Sequence, residues 1–137
     1  MIRFIMRSIF ILTILCFCSI FSFGKNRNAK NVITHVTVTC YQPVKEQCDD
    51  NPLITADGSK IDLNKLKQGK IKWCAISRDL LWLFPKDKPK KVYIHGYGTY
   101  EVRDVMNKRF NHRVDILLHP SDKTLIFDEK IKMTILH

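Results

Sequence analysis

Residues 92–118 read VYIHGYGTYEVRDVMNKRFNHRVDILL, and this stretch decides the fold that the sequence predicts. Two short apolar runs, 92–94 and 114–118, enclose a Gly-x-Gly turn, a run rich in β-branched and aromatic residues at 99–105, and a polar loop. Each run ends at a glycine or a cluster of charges, as β-strands commonly do. The stretch therefore predicts short strands joined by turns.

Asp115 interrupts an otherwise apolar run, between Val114 and Ile116. A carboxylate there costs free energy unless it is paired, hydrogen-bonded, protonated, or on a face that opens to a ligand. Asp104 lies eleven residues earlier, at the end of another strand-like run. The pattern predicts that two strand-end carboxylates meet across a loop.

The rest of the chain also indicates β-structure. Residues 32–41 alternate between apolar and polar positions, which predicts a strand with one face in the core. Residues 53–58 predict a short strand that enters an Asp-Gly turn, and 71–77 predict another strand. We expect one helical turn at 78–84 and one or two short strands at 124–137. The fold class is therefore all-β, with about six to eight strands in a closed or nearly closed barrel.

The N-terminal segment resembles an export signal. Two arginines precede a 16-residue run without charge at 8–23, and small residues stand at Ser22 and Gly24. We predict a signal peptide at 1–24, a flexible basic leader at 25–31 and one folded domain at 32–137. An uncleaved anchor and a buried helix are the alternatives, and the sequence does not show whether the signal is removed.

The charge of the chain is strongly positive, with a formal net charge of +10. Two of the 23 Lys and Arg residues lie in the predicted signal, so the exported part carries 21 against 13 acidic residues. This surplus indicates an anionic partner, which is a cell-wall polymer, an anionic membrane surface or nucleic acid, and export makes nucleic acid the least favoured of the three. The alternative is that scattered lysines only keep a small domain in solution. We expect a monomer without membrane association after signal removal.

Three cysteines remain beyond the predicted signal: Cys40, Cys48 and Cys74. Export favours a disulfide, and the odd count leaves one thiol over. We predict Cys48–Cys74, because Cys48 lies in a polar loop and Cys74 lies in a predicted strand. Cys40–Cys74 is the alternative. None of the three has an obvious histidine partner that would make it a nucleophile.

The sequence predicts neither a metal nor a cofactor. The five histidines show no i, i+4 pair, so no zinc site is indicated. The turn at Gly96 and Gly98 lacks the third glycine and the following helix that a phosphate-binding loop needs.

Three aspartates stand at strand borders: Asp79, Asp104 and Asp115. Carboxylates that share a cleft shift one another's pKa, so one holds a proton while another stays charged. Glycosidic cleavage needs such an acid and such a charge. The alternative is structural: Asp104 pairs with a nearby arginine, and Asp115 caps a turn.

Several motifs in a fixed order resemble the three-aspartate (3D) domain. They are TADG at 55–58, AISRD at 75–79, VYIHGYG at 92–98, Asp104 and VDIL at 114–117. This family is a six-stranded double-psi β-barrel of the lytic transglycosylase A and rare lipoprotein A-like superfamily, and the resemblance covers residues 33–119. It implies that the chain acts on the glycan strands of peptidoglycan.

The resemblance also implies roles for single residues. Asp79, Asp104 and Asp115 match the first, second and third aspartates of the family, and the third is its catalytic acid/base. Asp115 would then cleave the MurNAc–GlcNAc bond, with Asp104 raising its pKa and orienting it. Thr55 matches a threonine that lines the substrate groove, and Asp79 is assigned to substrate binding.

The chain departs from the family pattern in two places. Leu80 replaces a proline, and residues 105–110 replace a Gly-Gly-Ala run. Within this segment the candidates for a sugar-binding wall are Asn107, Lys108, Arg109 and Phe110. The candidates for stacking on a sugar are Tyr41, Tyr97 and Tyr100.

Three hypotheses follow from these observations. The first is a lytic transglycosylase-like enzyme. The second is an expansin-like module that binds peptidoglycan without cutting it. The third is an interaction or inhibitor protein that keeps the barrel without the groove.

Overall fold

The structure is a computed structural model that describes residues 31–48, 50–86 and 88–137. The predicted signal peptide at 1–24 lies outside these residues, as does the predicted leader except for Asn31. The first strand begins at Val32. None of the helices in the described ranges is long and apolar enough to cross a membrane.

Six strands and two short helices make up the described part of the chain. The strands carry most of the regular structure, as the alternating and β-branched runs predict. They are β1 (Val32–Tyr41), β2 (Trp73–Ile76), β3 (Lys91–Ile94), β4 (Gly98–Val105), β5 (Arg113–Leu117) and β6 (Phe127–Leu136); the helices are α1 (Leu63–Lys67) and a 3-10 helix (Arg78–Leu83).

The six strands close into a barrel in the order β1-β5-β2-β4-β3-β6. Strands β1 and β5 are parallel, as are β2 and β4, while the other neighbours are antiparallel. Parallel neighbours require connections that cross over the barrel, in agreement with the crossing connections of a double-psi barrel. The prediction of an all-β, six-stranded barrel is confirmed.

Alternate positions along the strands fill the barrel interior. In β1, Val36 and Val38 point inward, and Cys74 and Ile76 do so in β2. Burial of each such aliphatic side chain contributes about 1.5–3 kcal/mol, so the alternation itself fixes which face of each strand points outward. The buried cluster also contains Leu80, Phe84, Val92, Ile94, Val102, Val114, Ile116, Met133 and Ile135.

The turn between β3 and β4 needs glycine at two positions. Gly96 has φ +86° and Gly98 has φ +101°, in the region that residues with a Cβ rarely adopt. No heavy atom lies within 4 Å of a Cβ built at either glycine, so backbone conformation is the reason for both.

Two elements differ from the sequence prediction. Residues 53–58 form turns with a single isolated bridge, Ile54 to Lys60, rather than a strand. The unpredicted helix α1 begins after Asp62, whose carboxylate accepts the N–H of Lys65 at 3.0 Å. A five-residue helix is too short to show a hydrophobic period, so the polarity pattern does not reveal it.

The predicted Cys48–Cys74 disulfide is wrong. Cys74 is a free thiol buried completely inside the barrel, because its position in β2 points inward. Cys48 lies in the loop after β1, where its thiol donates to the carbonyl oxygen of Gln42 at 3.4 Å. The alternative pairing is absent as well, because Cys40 is also a free thiol.

Candidate functional site

A row of four residues crosses the outer face of the barrel. Thr39 in β1 is the register partner of Asp115 in β5. On the other side of β5, Asp115 is the register partner of Ala75 in β2. Ala75 in turn is the register partner of Asp104 in β4. Register partners on neighbouring strands project to the same side of a sheet. The two aspartates therefore flank Ala75, whose single methyl group leaves the space between them open.

Asp115 is mostly enclosed, and one hydroxyl group donates to it. Thr39 Oγ1 donates to its Oδ1 at 2.8 Å. Burial raises the pKa of Asp115, and the nearby charge of Asp104 adds to this effect. The hydrogen bond from Thr39 and the charge of Arg113 oppose the rise without cancelling it. Asp115 is therefore the carboxyl group that tends to hold a proton.

Asp104 lies in a different environment, with donors at both oxygens. Its Oδ1 accepts the backbone N–H groups of Ala56 and Val105, each at 2.9 Å, and its Oδ2 accepts the hydroxyl of Tyr41 at 3.2 Å. Burial and the neighbouring Asp104 raise the pKa of Tyr41, so its hydroxyl remains a donor. These three bonds hold the Asp104 carboxylate in one orientation.

Both carboxyl groups line one open cavity of about 640 Å³. Its floor is the outer face of the barrel, and its walls come from the loop after β1 and from the segment that follows β4. Among the described residues, no arginine or lysine lies within ion-pair distance of either carboxylate. Besides the two aspartates, the lining includes Tyr41, Thr55, Arg78, Asn107, Arg109 and Phe110.

Three predicted substrate-binding residues line this cavity: Thr55, Asn107 and Arg109. The hydroxyl of Thr55 is buried and donates to Asp57 at 2.7 Å, so it supports the wall from behind. Asn107 accepts the backbone N–H of Arg109 at 3.1 Å through its side-chain oxygen. The Arg109 side chain remains exposed at the cavity mouth.

Asp79 lies apart from the cavity lining. Its carboxylate accepts the backbone N–H of His112 at 3.0 Å and contacts the imidazole of the same residue at 2.8 Å. Burial acts to raise the pKa of Asp79, but hydrogen bonds from Ser77 and His112 outweigh it and hold the pKa below its usual value. In this position Asp79 fixes the loop that leads into β5.

Tyr97 also lies apart from the cavity lining, at the turn between β3 and β4. Its hydroxyl donates to Asp128 in β6. This hydrogen bond, together with partial burial, raises the pKa of Tyr97 to about 12. The contact ties the turn to β6 and leaves Tyr97 outside the groove.

Sequence reasoning missed the roles of Thr39 and Tyr41. The alternation of β1 indicates in part that both residues face outward, because Thr39 and Tyr41 follow the inward-facing Val36 and Val38 at outward positions of the strand. Thr39 meets Asp115 because β1 and β5 are parallel neighbours. Tyr41 meets Asp104 because both residues line the same cavity. Neither feature is readable from local sequence.

Comparison with known proteins supplies little beyond the barrel. No family model matches the chain, and no curated protein matches it. A solved structure named Streptomyces papain inhibitor (SPI) is similar at a TM-score of 0.48 and 16% sequence identity, covering 77% of this chain and 96% of that chain. A similarity of this size does not bear on function. The narrower resemblance to the three-aspartate family rests on the motifs alone.

Within the ranges that the structure describes, no group of three His, Cys, Asp or Glu side chains is arranged to hold a metal ion.

Proposed function

We propose that this chain is an exported protein that binds peptidoglycan glycan strands in the groove and cleaves the MurNAc–GlcNAc bond. One observation carries the proposal: Asp104 and Asp115 line the same cavity in unlike environments. Burial raises the pKa of Asp115, and a raised pKa is the direction that a general acid needs. The signal-like N-terminus, and the excess of 21 basic over 13 acidic residues in the exported part, support an envelope location with an anionic polymer as substrate.

The proposed reaction needs one acid/base residue and no water. Asp115 gives its proton to the glycosidic oxygen, and the leaving sugar departs as an alcohol when the C1–O bond breaks. The charge of Asp104 stabilises the positive character that develops at C1. The 6-hydroxyl of the MurNAc that carries C1 then attacks this carbon and gives its proton to the Asp115 carboxylate. A 1,6-anhydro ring forms, and Asp115 is protonated again.

Digestion of purified sacculi tests this proposal. The expected products are anhydro-muropeptides, detected by mass spectrometry, and Asp115→Asn is expected to abolish them because asparagine supplies no proton of suitable acidity. Asp50→Asn is the matched control, since Asp50 is exposed and lies outside the cavity lining. Absence of anhydro products with the folded wild-type protein would refute the enzymatic reading.

A second candidate function is an expansin-like glycan-binding module without catalysis. The observation that favours it is the wall after β4, where the side chains of Val105, Met106 and Phe110 line the cavity. Glycine at such positions lets a sugar chain approach the backbone, and bulkier residues prevent this. Co-sedimentation of the protein with sacculi, without release of soluble fragments, is the expected result for a binder.

A further inference from the structure

Two arginines, Arg78 and Arg109, line the cavity, and Arg113 lies beside it, outside the lining, with its guanidinium carbon 6.0 Å from the ring centroid of Phe127. The guanidinium carbons of Arg109 and Arg113 each lie 4.7 Å from the ring centroid of Phe110. Arg78 lines the same cavity, and its Nε donates to the backbone carbonyl of Met106 at 3.3 Å. The aromatic ring and the backbone thus hold the three guanidinium groups near the segment that forms the cavity wall.

These three positive charges have no carboxylate in direct contact in the described part of the chain, although the charge of Arg113 acts on Asp115. Within residues 31–48, 50–86 and 88–137, Arg78, Arg109 and Arg113 make no ion pair. Arg103 differs, because its guanidinium contacts Glu101 at 2.9 Å and Asp57 at 3.3 Å. Clustered like charges without a partner repel one another, so the fold retains a cost that an anionic ligand would relieve.

Arg113 adds a second, independent observation. Its Nε is buried and has no hydrogen-bond partner in the described part of the chain. A buried donor without an acceptor costs free energy. Arg113 stands two residues before Asp115 on β5, so the two side chains project from the same face of the strand. An anion bound by these arginines would therefore lie beside the proposed acid.

We propose that Arg78, Arg109 and Arg113 form a subsite that binds a carboxylate carried by the glycan, next to the Asp104–Asp115 pair. This inference rests on the proposed function, because it assumes that the groove holds a glycan. The planar guanidinium group matches a carboxylate through two parallel hydrogen bonds, whereas a neutral sugar offers no such partner. The carboxylate belongs either to the lactyl ether of the sugar or to an attached peptide.

Ligand binding at this subsite has a consequence for Asp115. The charge of Arg113 lowers the pKa of Asp115, against the larger effect of burial. A bound carboxylate neutralises that charge, so the pKa of Asp115 rises when the subsite is filled. Binding of the substrate therefore favours the protonated form of Asp115.

Calorimetric titration with three oligosaccharides tests the subsite. The probes are a neutral chitooligosaccharide, a MurNAc-containing oligosaccharide of equal length with free lactyl carboxylates, and the same glycan with its peptides attached. The titrations use the Asp115→Asn protein so that no probe is cleaved. We expect at least one carboxylate-bearing probe to bind about tenfold more tightly than the neutral one, as is typical of hydrogen bonds to charged groups.

Arginine variants assign the preference to this subsite. Arg109→Ala should remove the tenfold preference, and Lys108→Ala is the matched control, because Lys108 is exposed, carries the same charge and lies outside the cavity lining. Arg113→Lys should weaken the preference while keeping the charge, because lysine lacks the planar fork. Circular dichroism verifies that each variant is folded.

The outcomes separate the two proposals. Equal binding of neutral and carboxylate-bearing glycans would overturn the subsite while leaving glycan binding intact. Equal losses in Arg109→Ala and Lys108→Ala would also overturn it, because the effect would then be that of net charge alone. Failure of every probe to bind would refute the proposed function and the subsite together. A comparison of the two carboxylate-bearing probes identifies the source of the carboxylate.

Discussion

Replacing Asp115 by asparagine should stabilise the folded protein at neutral pH while abolishing its proposed activity. Asparagine has nearly the same shape as aspartate, and its side-chain oxygen still accepts the hydroxyl of Thr39, which lies 2.8 Å from Asp115 Oδ1. The substitution removes the negative charge that burial disfavours. A proton-transfer residue often stabilises the fold less than a neutral substitute would.

The sign and size of the effect follow from proton linkage. Burial raises the pKa of Asp115 above its unfolded value. At a pH below the pKa that Asp115 has in the unfolded chain, its carboxyl group is protonated in the folded and the unfolded protein, so it carries no charge penalty. As the pH rises through the pKa of Asp115 in the folded protein, ionisation of the buried group destabilises the fold. Each unit of such a shift corresponds to about 1.4 kcal/mol. With Thr39 and Arg113 offsetting part of the cost, we expect a gain on the order of 1 kcal/mol at neutral pH.

Urea unfolding of wild type and Asp115→Asn at several pH values measures this effect. The difference in free energy of unfolding should be near zero at about pH 3, should grow as the pH rises through the folded-state pKa of Asp115, and should then stay constant up to neutral pH. In a thermal scan it corresponds to about 4 °C in Tm. Taking the difference between the two proteins removes the opposite contributions of Asp57 and Asp79, whose pKa values are lowered. A variant that is less stable than wild type at neutral pH would contradict the reasoning.

Two further predictions concern the groove and the core. Tyr41→Phe removes the hydroxyl that donates to Asp104 at 3.2 Å, so the free energy of unfolding should fall by about 1.5 kcal/mol in urea titrations; the partly exposed Tyr93→Phe should change it by less than about 0.5 kcal/mol. Cys74 should resist alkylation until the protein unfolds, because complete burial raises its pKa. A reductant should leave the unfolding midpoint unchanged, and a clear decrease would show that a disulfide is present after all.

The strands were largely predictable from the sequence because each is a local pattern. Residues 32–41 alternate in polarity, and the structure has β1 at Val32–Tyr41. The Gly-x-Gly turn was readable in the same way, since positive φ at Gly96 and Gly98 is a property of the backbone at those two residues. The helix α1 escaped prediction because its stability comes from the Asp62 cap and from burial of Leu66, and neither forms a periodic pattern.

The sequence also singled out both carboxylates of the groove, because Asp115 interrupts an apolar run and Asp104 ends a strand. It did not show that Ala75 lies between them, nor that Thr39 and Tyr41 are their partners. Those relations depend on the strand order β1-β5-β2-β4, which joins residues far apart along the chain. The same reason explains why the predicted disulfide is wrong, since the pairing of β2 with β4 and β5 makes the Cys74 side chain point into the barrel.

By itself, then, the sequence determined the strands, the turn and the two acidic positions, because polarity patterns and backbone preferences act over a few residues. Only the tertiary structure decided which acid is buried, which donors hold the other, and where three arginines come together around Phe110 and Met106 without a direct ion pair in the described part of the chain. Burial and charge compensation are properties of neighbours in space, and barrel closure brings those neighbours together.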